Sequence, residues 1–264
     1  MQKIRGIYKL LGFTVILAFH VTRVIIKSIW AGRDPNFAWG IVKDCGRDEA
    51  RWLGIDIEWQ GRIPEEGALI LPNHRSYLDI IHFVSIIPVC FVAKIEVSKW
   101  PLISKAARIA RTIFVDRKDK NSRQQTRKQV KERLKEGVSV LVFPEGTTHM
   151  SPEVGELHKG IFYVAAGTDV PVIPAAVEYQ DPEEAWVGDD GFVEHFVRRF
   201  SVPGRKAVKI RFGEPIKEED GEVFRQRVGA WIQENTRELQ EEFGLAFDSK
   251  LDHVLNNEDL APKP

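Results

Sequence analysis

His74 and Asp79 lie in the segment Asn73-His74-Arg75-Ser76-Tyr77-Leu78-Asp79, directly after the apolar run Ala68-Leu69-Ile70-Leu71. An imidazole ordinarily titrates at about pH 6.5, so it can take up a proton near neutrality and serve as a general base. It then needs a partner on its other ring nitrogen, to fix the tautomer and to stabilise the imidazolium. Asp79 can be that partner if the chain turns at Arg75 and a helix begins at Ser76. The spacing also has a structural reading. Ser76-x-x-Asp79 is a capping-box pattern, and His74 can equally be a buried, hydrogen-bonded structural residue. A second block, Phe143-Pro144-Glu145-Gly146-Thr147-Thr148, follows the apolar run Val138 to Val142. Glu145 can accept hydrogen bonds from substrate hydroxyls or orient a cation, and Gly146 lets the backbone approach a ligand. The alternative is an exposed glutamate in a strand-to-loop turn. Arg117 ends a third apolar run and can hold a phosphate through two parallel hydrogen bonds, or it can pair with Asp116. Lys94 and Lys159 are further cations at element ends. His82, three residues after Asp79, reads as a helix-surface residue rather than a metal ligand, and no metal set is expected.

These residues need a scaffold, and the apolar runs that precede them read as buried strands. Strands are expected at 55–59 (exposed or on an edge), 68–71, 89–93, 112–115, 138–142, 170–177 and 208–212. Helices are expected at 76–87, stopped by Pro88, and at 97–110, 122–136, 159–166 and 219–243. The stretch 178–200 is acidic, aromatic and reads as irregular. Strands alternating with helices give an α/β sheet covered by helices on both faces. No phosphate-cradling glycine loop ends in Gly-Lys-Ser/Thr, and Gly137-Val138-Ser139 lacks the second glycine of a hydrolase elbow.

The chain has 264 residues, 43% of them hydrophobic, and 38 basic residues balance 38 acidic ones. That size and apolar content support one substantial core with appendages, and the zero net charge gives no reason to expect nucleic acid. Cys45 and Cys90 form neither a disulfide framework nor a metal quartet, and a reducing, cytoplasmic-side compartment fits. Cys90, inside an apolar run, reads as a small core residue. The basic helix 122–135 is a solvated face or a contact for anionic headgroups.

The N-terminus differs in kind. Leu10 to Thr22 is almost wholly apolar but shorter than the roughly 20 residues a spanning helix needs. Extended to Trp30 it admits His20, Arg23 and Lys27, which share one helical stripe. That pattern describes an interfacial helix with its basic stripe turned to lipid phosphates. A signal peptide or an ordinary packing helix is the other reading, although no small-residue cleavage site follows. A turn at Gly32-Arg33-Asp34-Pro35 and a second helix over 37–53 complete a hairpin suited to one leaflet. The expected division is membrane-associating helices over 1–53, a catalytic domain over 54–246 and a loose tail over 247–264.

Taken together, Asn73-His74-x-Ser76-x-x-Asp79, Phe114-Val115-Asp116-Arg117, Phe143-Pro144-Glu145-Gly146-Thr147 and Val170-Pro171-Val172-Ile173-Pro174 resemble, in order and spacing, the glycerolipid acyltransferase family. The likeness spans about Gly54 to Tyr179 and includes Ala93-Lys94-x-Glu96 and Lys159-Gly160. It implies a mixed, largely parallel sheet flanked by helices, docked on a membrane by the N-terminal helices. The implied activity is acyl transfer from acyl-CoA or acyl-carrier protein, without a further cofactor, to the free hydroxyl of 1-acylglycerol-3-phosphate, giving phosphatidate. His74 would be the base and Asp79 its orienter. Arg117 with Glu145, Gly146 and Thr147 would bind the glycerol-phosphate end. The implied location is the cytoplasmic face of the inner membrane. Two positions depart from the family pattern. Thr148 stands where an arginine usually follows the third block, and Arg111 stands where a small residue usually precedes the second. The first departure motivates a different acceptor, such as lyso-ornithine lipid, and a catalytically silent lipid-binding protein is the reading from another class.

Overall fold

In the computed structural model, residues 2–29, 37–63, 67–188 and 190–245 are described. The expected turn at Gly32–Pro35, the middle of the turn at 63–67 and the tail over 247–264 lie outside them.

Seven strands form one sheet in the order β1-β7-β6-β2-β5-β3-β4. They are β1 (Ile55–Gln60), β2 (Leu69–Pro72), β3 (Cys90–Lys94), β4 (Ile113–Val115), β5 (Val140–Leu141), β6 (Val172–Tyr179) and β7 (Lys206–Phe212). Every pairing is parallel except β6 with β7, which is antiparallel. The mixed, largely parallel sheet is as expected, with β1 on an edge.

Period-two alternation divides the core between the two faces. Ile70, Leu141 and Ile173 join a cluster beneath α2 (Trp39–Leu53), α3 (Leu78–Ile86) and α7 (Phe192–Ser201), with Leu53, Phe83 and Phe196. Leu69, Val140 and Val172 face the opposite way, towards α5 (Lys120–Lys135), α6 (Phe162–Ala165) and α8 (Gly221–Glu242), with Val130, Phe162 and Val228. Burial on both sides explains why β2 and β6 read as unbroken apolar runs. Asp119 caps α5 and Asp220 caps α8, each accepting two backbone N–H groups.

Three expectations are corrected. The helix expected over 97–110 is a 3-10 segment at Ile95–Lys99 followed by the shorter α4 (Ile103–Ile109), with Pro101 between them. The segment 178–200 is not irregular throughout. Its second half is α7, and Arg199 there pairs with buried Glu184 and half-exposed Asp181, each at 2.7 Å.

The third concerns the N-terminal helix. α1 runs from Gln2 to Ser28, 27 residues or about 40 Å, and Lys3–Ser28 is long and apolar enough to cross a membrane. Its basic stripe is engaged by the protein, with only His20 buried. His20 Nε2 lies 3.0 Å from an Asp48 carboxylate oxygen, Arg23 donates to Asp44 at 3.2 Å, and Lys27 donates to the Phe37 carbonyl at 2.9 Å. Asp44 and Asp48 are one turn apart on α2, so the stripe fastens α1 to α2. The exposed face is instead apolar: Ile4, Ile7, Tyr8, Leu11, Val15, Phe19 and Ile26 follow the spacing of one helical face. Phe13 turns inward, 5.4 Å from the ring of the fully buried Phe196.

Phe196 joins α1, α7 and the sheet, and stacks near Phe200 at 4.6 Å. Phe196→Ala should lower the unfolding free energy by about 3–5 kcal/mol. The measurement is urea denaturation, with limited proteolysis reporting the release of α1. A loss within experimental error of zero would show that this ring does not tie α1 to the body.

Candidate functional site

β2, β5, β3 and β4 are adjacent and parallel, so their C-terminal ends fall on one edge of the sheet. His74 follows β2, Glu145 follows β5, Lys94 ends β3 and Arg117 follows β4. Topology therefore brings these four candidates to a common rim, in that order. His74 and Arg117 lie three strand spacings apart, about 14 Å at roughly 4.8 Å per strand.

The His74 loop is anchored one residue earlier. Pro72 cannot donate to a ladder. The Asn73 side chain takes over, donating to the Val177 carbonyl at 2.9 Å and accepting the Val177 N–H at 2.8 Å. His74 Nδ1 then lies 2.8 Å from an Asp79 carboxylate oxygen. That same oxygen accepts the N–H groups of Arg75 at 2.9 Å and Ser76 at 3.0 Å. One Asp79 oxygen thus both holds the His74 ring and accepts the backbone N–H groups at the helix start. Its other oxygen accepts from the Tyr179 hydroxyl. Burial opposes ionisation of Asp79, but the His74 hydrogen bond and charge, Tyr179 and the Ser76 N–H outweigh it and hold the carboxyl below the usual carboxylate range. With Nδ1 donating to Asp79, the lone pair of the imidazole is on Nε2. The side chain is 17% exposed, and no described residue bonds that nitrogen. The ring stacks on Phe143, with centroids 3.8 Å apart and planes at 14°.

Cysteine offers no competing nucleophile. Burial is the main cause that pushes the Cys90 thiol up to about 11 and the Cys45 thiol up to about 12. Cys90 is a buried core residue, as expected.

Glu145 does not face solvent. One carboxylate oxygen accepts the His74 backbone N–H at 2.8 Å, while the other accepts the Gly155 N–H at 3.0 Å and bonds His149 Nε2. Gly146 has φ of 72°, and a Cβ there would meet the His158 ring at 2.9 Å. The position thus requires glycine for both its backbone conformation and its space. Thr147 is exposed. Thr148 donates its hydroxyl to the Trp186 carbonyl, while the Trp186 N–H donates to Arg75 O at 2.9 Å. The segment around Trp186 is thereby tied to both motif loops.

At the far end of the rim, Lys94 pairs with Glu96 at 3.6 Å. Arg117 is exposed, yet enough protein surrounds it for desolvation to lower its pKa, a shift that Glu96 opposes. Lys159 is directed to Glu222 of α8 at 3.7 Å. Arg111 has φ of 56°, which supplies the reason a small residue suits that position: the left-handed conformation is costly for a side chain with a Cβ. Here Arg111 pairs with Glu136, and its carbonyl accepts from Cys90 Sγ at 2.9 Å.

His82 is not on the helix surface as expected but fully buried, 3.2 Å from the Tyr179 hydroxyl. Burial lowers its pKa from 6.5 to about 4. Phe143, Tyr179 and His149 also received no role in the reading of the sequence. Phe143 lay inside a quoted block, and its position at a strand end beside His74 was the available signal.

A family profile described as Acyltransferase matches residues 54–178. Among curated relatives, a lyso-ornithine lipid O-acyltransferase of Rhizobium meliloti is 30% identical over 85% of this chain and 82% of its own length. A second lyso-ornithine lipid O-acyltransferase, from Brucella abortus, is 30% identical over 76% of the chain and 79% of its own. A 1-acyl-sn-glycerol-3-phosphate acyltransferase of Neisseria meningitidis is also 30% identical, over 53% of the chain and 56% of its own length. The crystal structure of the 1-acyl-sn-glycerophosphate acyltransferase PlsC from Thermotoga maritima superposes with a TM-score of 0.69, covering 91% of this chain and 98% of that one at 23% identity, a likeness of fold.

The neutral, buried His82 makes stability depend on pH. Between about pH 6.5 and 4 the unfolded chain binds the His82 proton and the folded chain does not, so stability falls as pH falls through that window. The full effect is up to about 3 kcal/mol. His82→Phe should flatten that part of the stability-against-pH curve, measured by denaturant melts at pH 7, 5.5 and 4.5. An unchanged slope would mean that His82 is not the group responsible.

Proposed function

The chain belongs to the glycerolipid acyltransferase family and is an O-acyltransferase, and on that premise we propose that His74 is the general base for acylating the free hydroxyl of a lysolipid. The observation that carries this reading is the His74–Asp79 pair, with Nδ1 committed to a buried carboxylate and Nε2 left for substrate. Nε2 removes the hydroxyl proton as the acceptor oxygen bonds the thioester carbonyl carbon. The tetrahedral intermediate collapses with cleavage of the carbon–sulfur bond. The histidinium returns its proton to the departing thiolate, and the acyl group leaves as an ester. Asp79 keeps the ring in place and stabilises the imidazolium throughout. The donor is acyl-CoA or acyl-carrier protein.

For the acceptor we favour a lysolipid with an amino-acid head, of the lyso-ornithine type. Thr148 supports this, because its hydroxyl is engaged by the Trp186 carbonyl and supplies no cation at the third block. The breadth of similarity to lyso-ornithine lipid O-acyltransferases supports it as well. Arg117 and Lys94, at the far end of the rim, would then hold the head's carboxylate. Lysophosphatidate is the second reading, favoured by the same two cations, which suit a phosphate equally. Thr147 has an exposed hydroxyl to offer either head. Gly146 shapes the loop, Glu145 acts on that loop through its two engaged oxygens, and Lys159 acts at most from beside it. The exposed apolar face of α1 would lie in the bilayer on the cytoplasmic side of the inner membrane, where both donors are produced.

His74→Ala should lower kcat by about 10²- to 10⁴-fold while the chain stays folded and vesicle binding stays at the wild-type value. Near-wild-type transfer by that variant would sink the assignment. A panel of lysolipids with labelled acyl-CoA decides the acceptor. Wild type should favour the amino-headed lipid, and Thr148→Arg should raise the relative kcat/KM for lysophosphatidate roughly tenfold, the scale of one charged hydrogen bond. A wild-type preference for lysophosphatidate would make the second reading correct.

A further inference from the structure

We propose that His149 is a positioning residue for His74, a neutral hydrogen-bonded bridge that fixes the third motif block to the first. This deepens the reading of His74 as base and rests on it. Asp79 orients the His74 ring from within its own loop. It cannot fix that loop against Phe143 and the 143–149 turn, which belong to another strand. Glu145 makes the crossing, since one of its oxygens accepts the His74 N–H at 2.8 Å. The other oxygen is held by His149 Nε2 and by the Gly155 N–H. His149 Nδ1 in turn lies 3.3 Å from Nη1 of Arg75, the residue after His74. A loop thus closes from the His74 N–H through Glu145 and His149 to Arg75, adjacent to its starting point.

Hydrogen-bond polarity sets one arrangement for the bridge. A guanidinium only donates and a carboxylate only accepts. His149 therefore accepts on Nδ1 and donates from Nε2. Its neighbours are costly to leave unmatched, because Arg75 and Glu145 are 3% and 4% exposed. Arg75 is held on its far side by Glu178 at 2.8 Å, and the same Glu178 oxygen accepts from Gln240 at 2.8 Å. The Arg75 side chain is thus anchored on β6 and α8, and His149 transmits that anchorage to Glu145. Removing the imidazole leaves Glu145 with the Gly155 N–H alone on that oxygen. The turn can then shift relative to His74, and displacement of a base by about 1 Å costs on the order of 10²-fold in rate.

The test compares purified wild type with His149→Ala and His149→Gln in mixed micelles, using acyl-CoA and the lysolipid that wild type acylates best. Gln carries one donor and one acceptor on a single planar group and can restore the bridge. The expected result is that His149→Ala lowers kcat about 10- to 100-fold with KM for the lysolipid changed less than about threefold, and that His149→Gln recovers most of the loss. A raised KM at unchanged kcat would make His149 a substrate contact instead. An unchanged kcat would overturn the proposal whether or not the melting temperature fell. A second readout needs no turnover: the proton NMR signal of the His74 Nδ1–H···Asp79 bond, assigned by its loss in His74→Ala. It should persist in wild type and His149→Gln and broaden by faster exchange in His149→Ala. A signal unaltered in His149→Ala would overturn the proposal. Wild-type inactivity on every lysolipid would instead count against the functional reading, with the NMR comparison still deciding the role of His149.

Discussion

One buried carboxylate organises the His74 end of this fold. Asp79 gathers the His74 ring, two backbone N–H groups and the Tyr179 hydroxyl on its two oxygens. A carboxylate taken wholly out of water is unstable unless such donors replace the solvent. Here the replacement donors come from the loop that must be shaped and from the strand beside it. The charge that holds the His74 ring is therefore also the charge that starts α3. Neither task can be removed without disturbing the other, so holding the ring and starting the helix are not alternatives. The neutral His82 follows from the same concentration of charge. It is buried against Tyr179, and Asp79 alone does not overcome the desolvation that keeps it unprotonated.

The sheet supplies the second constraint. Four adjacent parallel strands end on one rim, so residues far apart in sequence meet without long loops. In such sheets the carboxyl ends of the strands are where ligands gather. The order along the rim separates two kinds of work. One end has a stacked, largely shielded histidine with Phe143 beneath it. About 10 and 14 Å away the rim carries Lys94 and Arg117, exposed cations suited to a charged head. An amphipathic lysolipid has the same polarity built into it, a hydroxyl to acylate and a head to be held.

Much of this was legible in the sequence because strands buried on both faces leave unbroken apolar runs, and the polar blocks behind them mark the rim. β2, β5 and β6, the edge position of β1, and the charged α5 and amphipathic α8 followed from that logic. What escaped were tertiary partnerships that local patterns do not encode. A stripe of His20, Arg23 and Lys27 has the same period whether it faces lipid phosphate or Asp44 and Asp48 on a neighbouring helix. Only the pairing of α1 with α2 decides, and it decides for the protein. Glu145 read as an outward ligand because Glu-Gly at a strand end usually faces solvent. Its burial depends on Gly155 and His149, which fold back over it from later in the chain. His82 has no sequence mark of burial, since its hydrogen-bond partner Tyr179 lies 97 residues away. α7 was hidden because its aromatic and charged residues read as irregular until Phe13 of α1 gives them a partner.

The engagement of the basic stripe changes the physics of docking. With His20, Arg23 and Lys27 engaged by partners in the protein, the exposed apolar face of α1 offers lipid mainly hydrocarbon. Attraction to anionic headgroups through this helix is correspondingly weak, and burial of Ile4, Ile7, Leu11, Val15 and Phe19 becomes the main favourable contribution, at about 25 cal/mol per Å² of apolar surface. A docking of that kind is little affected by salt and by lipid charge, because it uses area rather than Coulomb attraction. It would also link a lipid-seated α1 to the His74 loop by packing alone. α1 contacts α7 through Phe13 and Phe196, and the neighbouring Phe192 meets Tyr77 of the His74 loop with ring centroids 4.9 Å apart. The apolar helix that would reach the bilayer and the loop that carries His74 are thus joined by one chain of aromatic contacts. Seating α1 in lipid would set the height of His74 above the bilayer surface, and with it the depth at which an acceptor hydroxyl must sit to be acylated.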